Sequence, residues 1–204
     1  MTHVKICGLR TNEHVDVAVQ NGADFIGFVF AKSSREVTLE EAASLAAHIP
    51  PHVKKVGVFV NETAARIHEI ATAVPLDYIQ YHGDEPQSFI DEVGLPAIKA
   101  FSIKTADDVK AAAAFHVDYY LFDAPGTDFR GGSGHTFDWS LLQHAGIPND
   151  KVIVAGGLHA DNVADAIAQV QPFGVDVSSG VETDKQKDSG KIRAFLQAAK
   201  GVSQ

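Results

Sequence analysis

Three side chains able to move a proton stand at the ends of short apolar runs, next to turn residues: Cys7 before Gly8, His82 before Gly83, and Asp123 before Ala124-Pro125-Gly126. The runs themselves, 3–8 (HVKICG), 77–82 (DYIQYH) and 117–123 (VDYYLFD), are β-branched or aromatic-rich and read as strands. A polar residue at a strand end beside a turn sits where a scaffold displays chemistry. A thiol there can act as a base once nearby cations favour its thiolate. A carboxyl there can hold and donate a proton if burial disfavours its charge. The competing readings are plain ones: a strand cysteine serving as a small hydrophobe, and an aspartate capping a turn.

Two other strand ends are rich in small residues. Ala155-Gly156-Gly157-Leu158 and Ser178-Ser179-Gly180-Val181 could each bring backbone N–H groups close to an anion, because glycine has no Cβ to hold a ligand off. Gly156, Gly157, Ser178, Ser179 and Gly180 are therefore candidate phosphate contacts. A third cluster, Gly131-Gly132-Ser133-Gly134, lacks the lysine of a nucleotide-binding P-loop. Arg35, in Lys32-Ser33-Ser34-Arg35, offers a guanidinium that could pair with a carboxylate.

The elements that must position these residues alternate regularly. Besides the three runs above, strands are expected at 24–30, 54–60, 96–101, 151–156 and 173–179. Amphipathic segments lie between them at 12–21, 39–48, 62–73, 86–93, 105–114, 138–144, 160–170 and 188–199. Thr38-Leu39-Glu40-Glu41 fits a capping box, and Asn61 and Thr105 are candidate N-caps. Eight βα units imply a parallel sheet, and eight units of about 25 residues close most naturally as a (β/α)8 TIM barrel. An open doubly wound sheet is the alternative, but Gly8-Leu9-Arg10 after the first strand lacks the G-x-G-x-x-G pattern. We expect one α/β barrel domain over 1–204.

Strand alternation sorts the side chains. It sends Val4, Ile6, Ile79, Tyr81, Ile98, Tyr120, Phe122, Val175 and Val177 toward the helices. It collects Lys5, Cys7, Gln80, His82, Lys99, Asp123, Asp176 and Ser178 inside the barrel. A barrel that was only a scaffold would be filled with Val, Ile and Leu. Buried polar groups need partners, so Lys5 and Lys99 could instead be paired with carboxylates.

The 204 residues, 45% hydrophobic and 21% charged, fit a folded globular chain. The net charge of −9 and the lack of a basic cluster argue against a nucleic-acid surface. One cysteine permits no internal disulfide. No signal-peptide h-region is visible at 1–10, and the longest apolar stretch, 25–31, is too short for a bilayer. The expectation is a soluble, cytoplasmic protein with no nucleic-acid or membrane partner, acting as a monomer or homodimer.

Together these segments carry a resemblance. Lys5-Ile6-Cys7-Gly8-Leu9 is similar to the first-strand signature of the phosphoribosylanthranilate isomerases. The likeness continues through 22–30, Ser33-Ser34-Arg35, 56–59, 80–83, Phe122-Asp123, 131–139, 155–158 and 174–182, in order and over nearly the whole chain. Ser34, Tyr81 and His135 depart from it, standing where proline, leucine and lysine are common.

The resemblance implies an Amadori rearrangement of N-(5-phosphoribosyl)anthranilate to 1-(2-carboxyphenylamino)-1-deoxyribulose 5-phosphate, a step of tryptophan, hence aromatic amino acid, biosynthesis. It implies Asp123 as general acid and Cys7 as general base. Arg35 would hold the anthranilate carboxylate, and Gly156, Gly157, Ser179 and Gly180 the phosphate of the phosphoribosyl substrate. His82 and Asp176 would meet ribose hydroxyls or orient the acid–base pair. The proton moves within one substrate, so no cofactor or metal is implied.

Three other readings are weighed against it. A histidine-pathway sugar isomerase would be expected to carry an aspartate where Cys7 stands. A metal-dependent pentose-phosphate epimerase would want more than one inward histidine. A non-catalytic phosphosugar-binding barrel would have no need of both Cys7 and Asp123.

Overall fold

The structure, a computed structural model, describes residues 2–124, 136–144 and 146–202. Eight parallel strands close into a barrel in sequence order: β1 (His3–Cys7), β2 (Phe25–Val29), β3 (Lys54–Phe59), β4 (Tyr78–Tyr81), β5 (Ala97–Ser102), β6 (Tyr119–Asp123), β7 (Val152–Val154) and β8 (Gly174–Val177). Helices α1 (Asn12–Gln20), α2 (Leu39–Ala46), α3 (Ala64–Ala73), α4 (Gln87–Val93) and α5 (Ala106–Ala112) follow the first five strands, and α6 (Val163–Val170) and α7 (Ser189–Lys200) follow the last two. The eight-strand (β/α)8 architecture is therefore as the alternating pattern implied.

Local chemistry sets most helix starts. Thr38 caps α2 and Glu41 reaches back to its N–H at 2.8 Å, a complete capping box. Thr105 and Asp108 do the same for α5. Asn61 does not cap α3. It adopts φ +52°, and its side chain accepts from the Asp84 N–H, while Thr63 caps the helix by accepting from Arg66 N–H. The helix so begins at Ala64, two residues later than 62.

The segment expected as a helix over 138–144 is a 3-10 helix, Trp139–His144. It lies between the Asp138 turn, whose carboxylate accepts from Ser140 N–H, and the Gly146-Ile147-Pro148 bend. The turns at both ends confine the run to a short 3-10 helix. Strand β7 is also shorter than 151–156, because the chain turns away at Gly156, which has φ +79°.

Two apolar layers flank the strands. The outer one, between barrel and helices, holds Val4, Ile6, Ile79, Tyr81, Tyr120, Phe122, Val175 and Val177, as alternation required. The inner one is a separate cluster of Phe25, Val56, Ile98, Ala100, Leu121, Ile153 and Ala155. Strand β5 corrects the sequence reading: Ile98 belongs to the barrel interior and Lys99 to the helix-facing side. The register agrees, since Ile98 pairs with inward Gln80 and Lys99 with outward Tyr81. Lys99 escapes an apolar layer by curling its long stem so that Nζ donates to Gly83 O at 2.9 Å and pairs with Glu85 at 3.2 Å.

At the N-terminal end, Phe173 stacks on Tyr119 at 4.2 Å and on His3 at 4.4 Å, with Phe25 edge-on beside them. These rings cover the bottom of the inner cluster. Cys7, His82 and Asp123 stand instead at the C-terminal mouth of the strands, the end where barrels of this kind bind ligands.

Candidate active site

On one side of the mouth, β1 and β8 run side by side with Lys5 opposite Asp176. Lys5 Nζ donates to Asp176 Oδ1 at 3.0 Å, and both residues are buried. Cys7 follows two residues along on the same inward face, also buried. Its neighbour across β2 is Gly27. A Cβ on Gly27 would lie 2.9 Å from Cys7 Sγ and 3.2 Å from Lys5 Nζ, so the missing side chain gives the thiol and the ammonium a shared space.

Burial pushes the Cys7 thiol up, and the Asp176 carboxylate adds to that. The Lys5 and Lys187 ammonium groups pull the other way, toward thiolate. Lys5 is opposed by burial, but Asp176 and Cys7 outweigh it and hold the ammonium above its ordinary range.

Arg35 reaches the same region from the loop after β2. Its side chain lies across Gly8, where a Cβ would come within 2.8 Å of Cδ, and Gly8 itself has φ +78°. The guanidinium is held by Glu182 in a two-pronged contact, Nε to Oε1 at 2.7 Å and Nη2 to Oε2 at 2.9 Å. Lys187 Nζ sits 2.7 Å from the same Glu182 Oε1 and also donates to Ser178 O at 2.8 Å. Ser178 Oγ in turn donates to Cys7 O at 3.2 Å. Glu182 is held below the usual carboxylate range, since burial, which would raise it, is outweighed by Arg35 and Lys187.

Across the mouth, β4 and β6 carry His82 and Asp123. Gln80 Nε2 lies 3.0 Å from His82 Nδ1, and His82 Nε2 lies 3.5 Å from Asp123 Oδ2. With the Gln80 amide donating, the imidazole keeps its proton on Nε2, the nitrogen facing Asp123. Asp123 is buried, and its Oδ1 has no hydrogen-bond partner among the described residues. Such an oxygen is costly unless something else engages it.

Gly156 leaves the room for this carboxyl. A Cβ there would come 2.7 Å from Asp123 Oδ1 and would collide with the Ala124 backbone nitrogen. Gly157, next to it, has φ +63°. After β8, Ser179 opens a one-turn 3-10 helix, Ser179–Val181, and Gly180 packs so tightly on Leu158 O that no Cβ fits. Among the described residues, the backbone N–H groups of Gly156, Gly157, Ser179 and Gly180 find no acceptor. The two glycine loops thus adjoin at one edge of the mouth and keep free donors.

The structure brings Cys7, Arg35, His82, Asp123, Gly156, Gly157, Asp176, Ser178, Ser179 and Gly180 to one end of the barrel. Lys99 with Glu85 belongs to the helix-facing layer. Gly131-Gly132-Ser133-Gly134 and His135 lie outside the described residues. Among those described, no three His, Cys, Asp or Glu side chains converge as a metal site.

Sequence reasoning gave no role to Glu182 and Lys187. They face each other across a miniature hairpin, β9 (Glu182–Thr183) and β10 (Gln186–Lys187), joined by Asp184 and Lys185, both at positive φ. Strands of two residues carry no alternation to read. The only hint was that Glu182 ends the segment after β8.

Comparison with known proteins agrees with this geometry. Residues 4–198 match the family described as N-(5'phosphoribosyl)anthranilate (PRA) isomerase. A relative of that name from Listeria welshimeri is 49% identical over 199 residues, covering 98% of each chain. One from Bacillus cereus is 45% identical over 203 residues, again 98% of each. Among solved structures, phosphoribosyl anthranilate isomerase from Thermotoga maritima superposes with a TM-score of 0.87 at 39% identity, over 99% of this chain and 100% of the other. Another, in complex with reduced 1-(o-carboxyphenylamino)-1-deoxyribulose 5-phosphate, gives 0.84 at 36% identity over the same shares. With the match over nearly the full chain and the superposition of the barrel in agreement, this chain belongs to the N-(5'-phosphoribosyl)anthranilate isomerase family.

Proposed function

We propose that this protein is an aldose–ketose isomerase, an intramolecular oxidoreductase that converts N-(5-phosphoribosyl)anthranilate to 1-(2-carboxyphenylamino)-1-deoxyribulose 5-phosphate. The observation that carries the reading is the family match over residues 4–198, within which Cys7 and Asp123 occupy the ends of β1 and β6 at one mouth.

Asp123 gives its proton to the furanose ring oxygen, and the C1′–O bond breaks to leave a protonated Schiff base with the anthranilate nitrogen. Cys7, as thiolate, then removes the proton from C2′, and those electrons form the C1′–C2′ double bond of an enolamine. Tautomerisation to the ketone moves the enol proton to C1′. One proton is given and one is taken, so exchange with solvent restores both residues. His82, with its N–H toward Asp123, orients that carboxyl. Lys5 favours the thiolate, and Asp176 fixes Lys5. General acid and general base each contribute roughly 10²–10⁴-fold.

The substrate phosphate takes the backbone N–H groups of Gly156, Gly157, Ser179 and Gly180, as anions do at such concave amide clusters. Ser178 links that loop to Cys7. Arg35 receives the anthranilate carboxylate. The protein works as a monomer or homodimer on this small molecule, in the cytoplasm. Among the described residues no helix is long and apolar enough to cross a membrane.

The test is turnover of freshly prepared N-(5-phosphoribosyl)anthranilate, followed by loss of anthranilate-type fluorescence, by wild type, Cys7→Ala and Asp123→Asn. Rapid turnover by wild type and near-complete loss in both folded variants is expected. No turnover by folded wild type refutes the assignment.

A further inference from the structure

We propose that the miniature hairpin after β8 is part of the substrate site: Glu182 and Lys187 together aim Arg35 and keep its positive charge available for the carboxylate of the substrate. This rests on the isomerase reading above and adds two positioning residues to it.

Orientation comes first. A guanidinium has five N–H donors in a rigid plane, and two carboxylates can share it by taking different edges. Glu182 occupies the Nε–Nη2 edge through its two contacts of 2.7 and 2.9 Å. That leaves the Nη1–Nη2 edge for a second carboxylate, at a fixed angle, with the stem lying over Gly8 beside Cys7. Without Glu182 the arginine would have to be ordered by the substrate itself, at an entropic cost taken from binding.

Charge comes second. An Arg35–Glu182 pair alone is neutral, and a substrate carboxylate arriving at Arg35 would also meet the repulsion of Glu182 behind it. Lys187, 2.7 Å from Glu182 and almost fully buried, cancels that repulsion, so the trio keeps one net positive charge. The hairpin register is what makes this work, because Glu182 and Lys187 are directly opposed across β9 and β10. Neither residue is used by the proton transfers, and both side chains are about 5% exposed, an expensive placement for charges without a task.

Lys187 has a second effect, on Cys7. The charged groups around the thiol are Lys5 on β1, Asp176 on β8, Arg35 from the loop after β2 and Lys187 on β10. Loss of Lys187 removes a cation that favours the thiolate, whereas loss of the Glu182 charge does not.

The experiment compares two substrates, N-(5-phosphoribosyl)anthranilate and its carboxylate-free analogue N-(5-phosphoribosyl)aniline, with product followed by chromatography. Glu182→Gln and Lys187→Met are each expected to lower the ratio of kcat/KM for the carboxylated over the carboxylate-free substrate by about 10- to 100-fold, the range for a lost hydrogen bond to a charged group. The loss should fall mainly in KM. Lys187→Met should also move the acid limb of kcat/KM to higher pH with both substrates, and Glu182→Gln should not. An unchanged ratio in either folded variant overturns the proposal. So does equal loss on both substrates by both variants, which would mean that the hairpin only holds the fold. Wild type inactive on either substrate would instead refute the isomerase reading.

Discussion

Replacing Gly156 by alanine separates backbone strain from damage to the site, because this barrel contains its own control. Gly156 and Gly22 both have positive φ, +79° and +91°. In either place an L side chain costs about 1–2 kcal/mol. Gly22 follows α1, and a Cβ on it would meet nothing within 4 Å. Gly22→Ala should therefore lose only that strain, lowering the melting temperature by about 2–4 °C per kcal/mol for a chain of this size, with kcat/KM intact. At Gly156 the same Cβ collides with the Ala124 backbone nitrogen and comes 2.7 Å from Asp123 Oδ1. Backbone of the β6 loop must shift on the order of 1 Å to admit it, and a misplacement of that size costs about 100-fold in rate.

The expected result is a Gly156→Ala protein at least as destabilised as Gly22→Ala, with kcat/KM down about 100-fold and inorganic phosphate still a competitive inhibitor. The assays are thermal unfolding by circular dichroism and the fluorescence-based turnover assay. Near-wild-type kcat/KM in Gly156→Ala would refute the idea that this close approach seats the Asp123 carboxyl.

Tyr81→Phe should stabilise the protein by about 1 kcal/mol in denaturant unfolding with activity unchanged, since the Tyr81 hydroxyl is buried against the helices with no partner among the described residues. Lys5→Met should move the acid limb of the pH–kcat/KM profile to higher pH, because burial and Asp176 already raise the Cys7 thiol and the variant removes a cation opposing them. Asp176→Asn should move the limb the opposite way, and a shift of the same sign in both variants would contradict this electrostatic account. Lys185→Gly should raise the melting temperature by about 1–3 °C, because Lys185 sits at φ +61° in the two-residue hairpin turn, a conformation glycine adopts freely.

What was legible in the sequence depended on whether a strand's two faces differ. In β1, β4, β6 and β8 one set of alternate residues is apolar and the other includes Lys5, Gln80, Asp123 or Asp176, so parity alone assigned them. Strand β5 defeats that logic. Both of its faces are buried, Ile98 and Ala100 are as apolar as anything facing the helices, and the single polar residue invites an inward placement. Lys99 is instead long enough to carry its charge out of the apolar layer to Gly83 O and Glu85, a contact set by the loop after β4. Asn61 misled for a related reason: it has the right chemistry for a cap, but its side chain is committed to the same loop. The hairpin after β8 was illegible because its partners are fixed by a two-residue turn of non-glycine residues at positive φ, which composition does not announce.

The charge balance of the mouth explains why those unread residues matter. Lys5, Arg35 and Lys187 face Asp176 and Glu182, and a Cys7 thiolate makes the third anion. Among these described residues, three cations thus meet three anions when Cys7 is a thiolate, in a chain whose net charge is −9. The substrate then brings a carboxylate and a phosphate. The phosphate can be met by backbone dipoles, which supply donors without adding formal charge. On the reading proposed above, the carboxylate goes to Arg35, whose charge Lys187 preserves by neutralising Glu182 from behind. Taking away Lys187 would leave the mouth with an excess anion that opposes thiolate formation and carboxylate binding together. Those two losses arise at different atoms, so a pH profile and a carboxylate-free substrate can measure them apart.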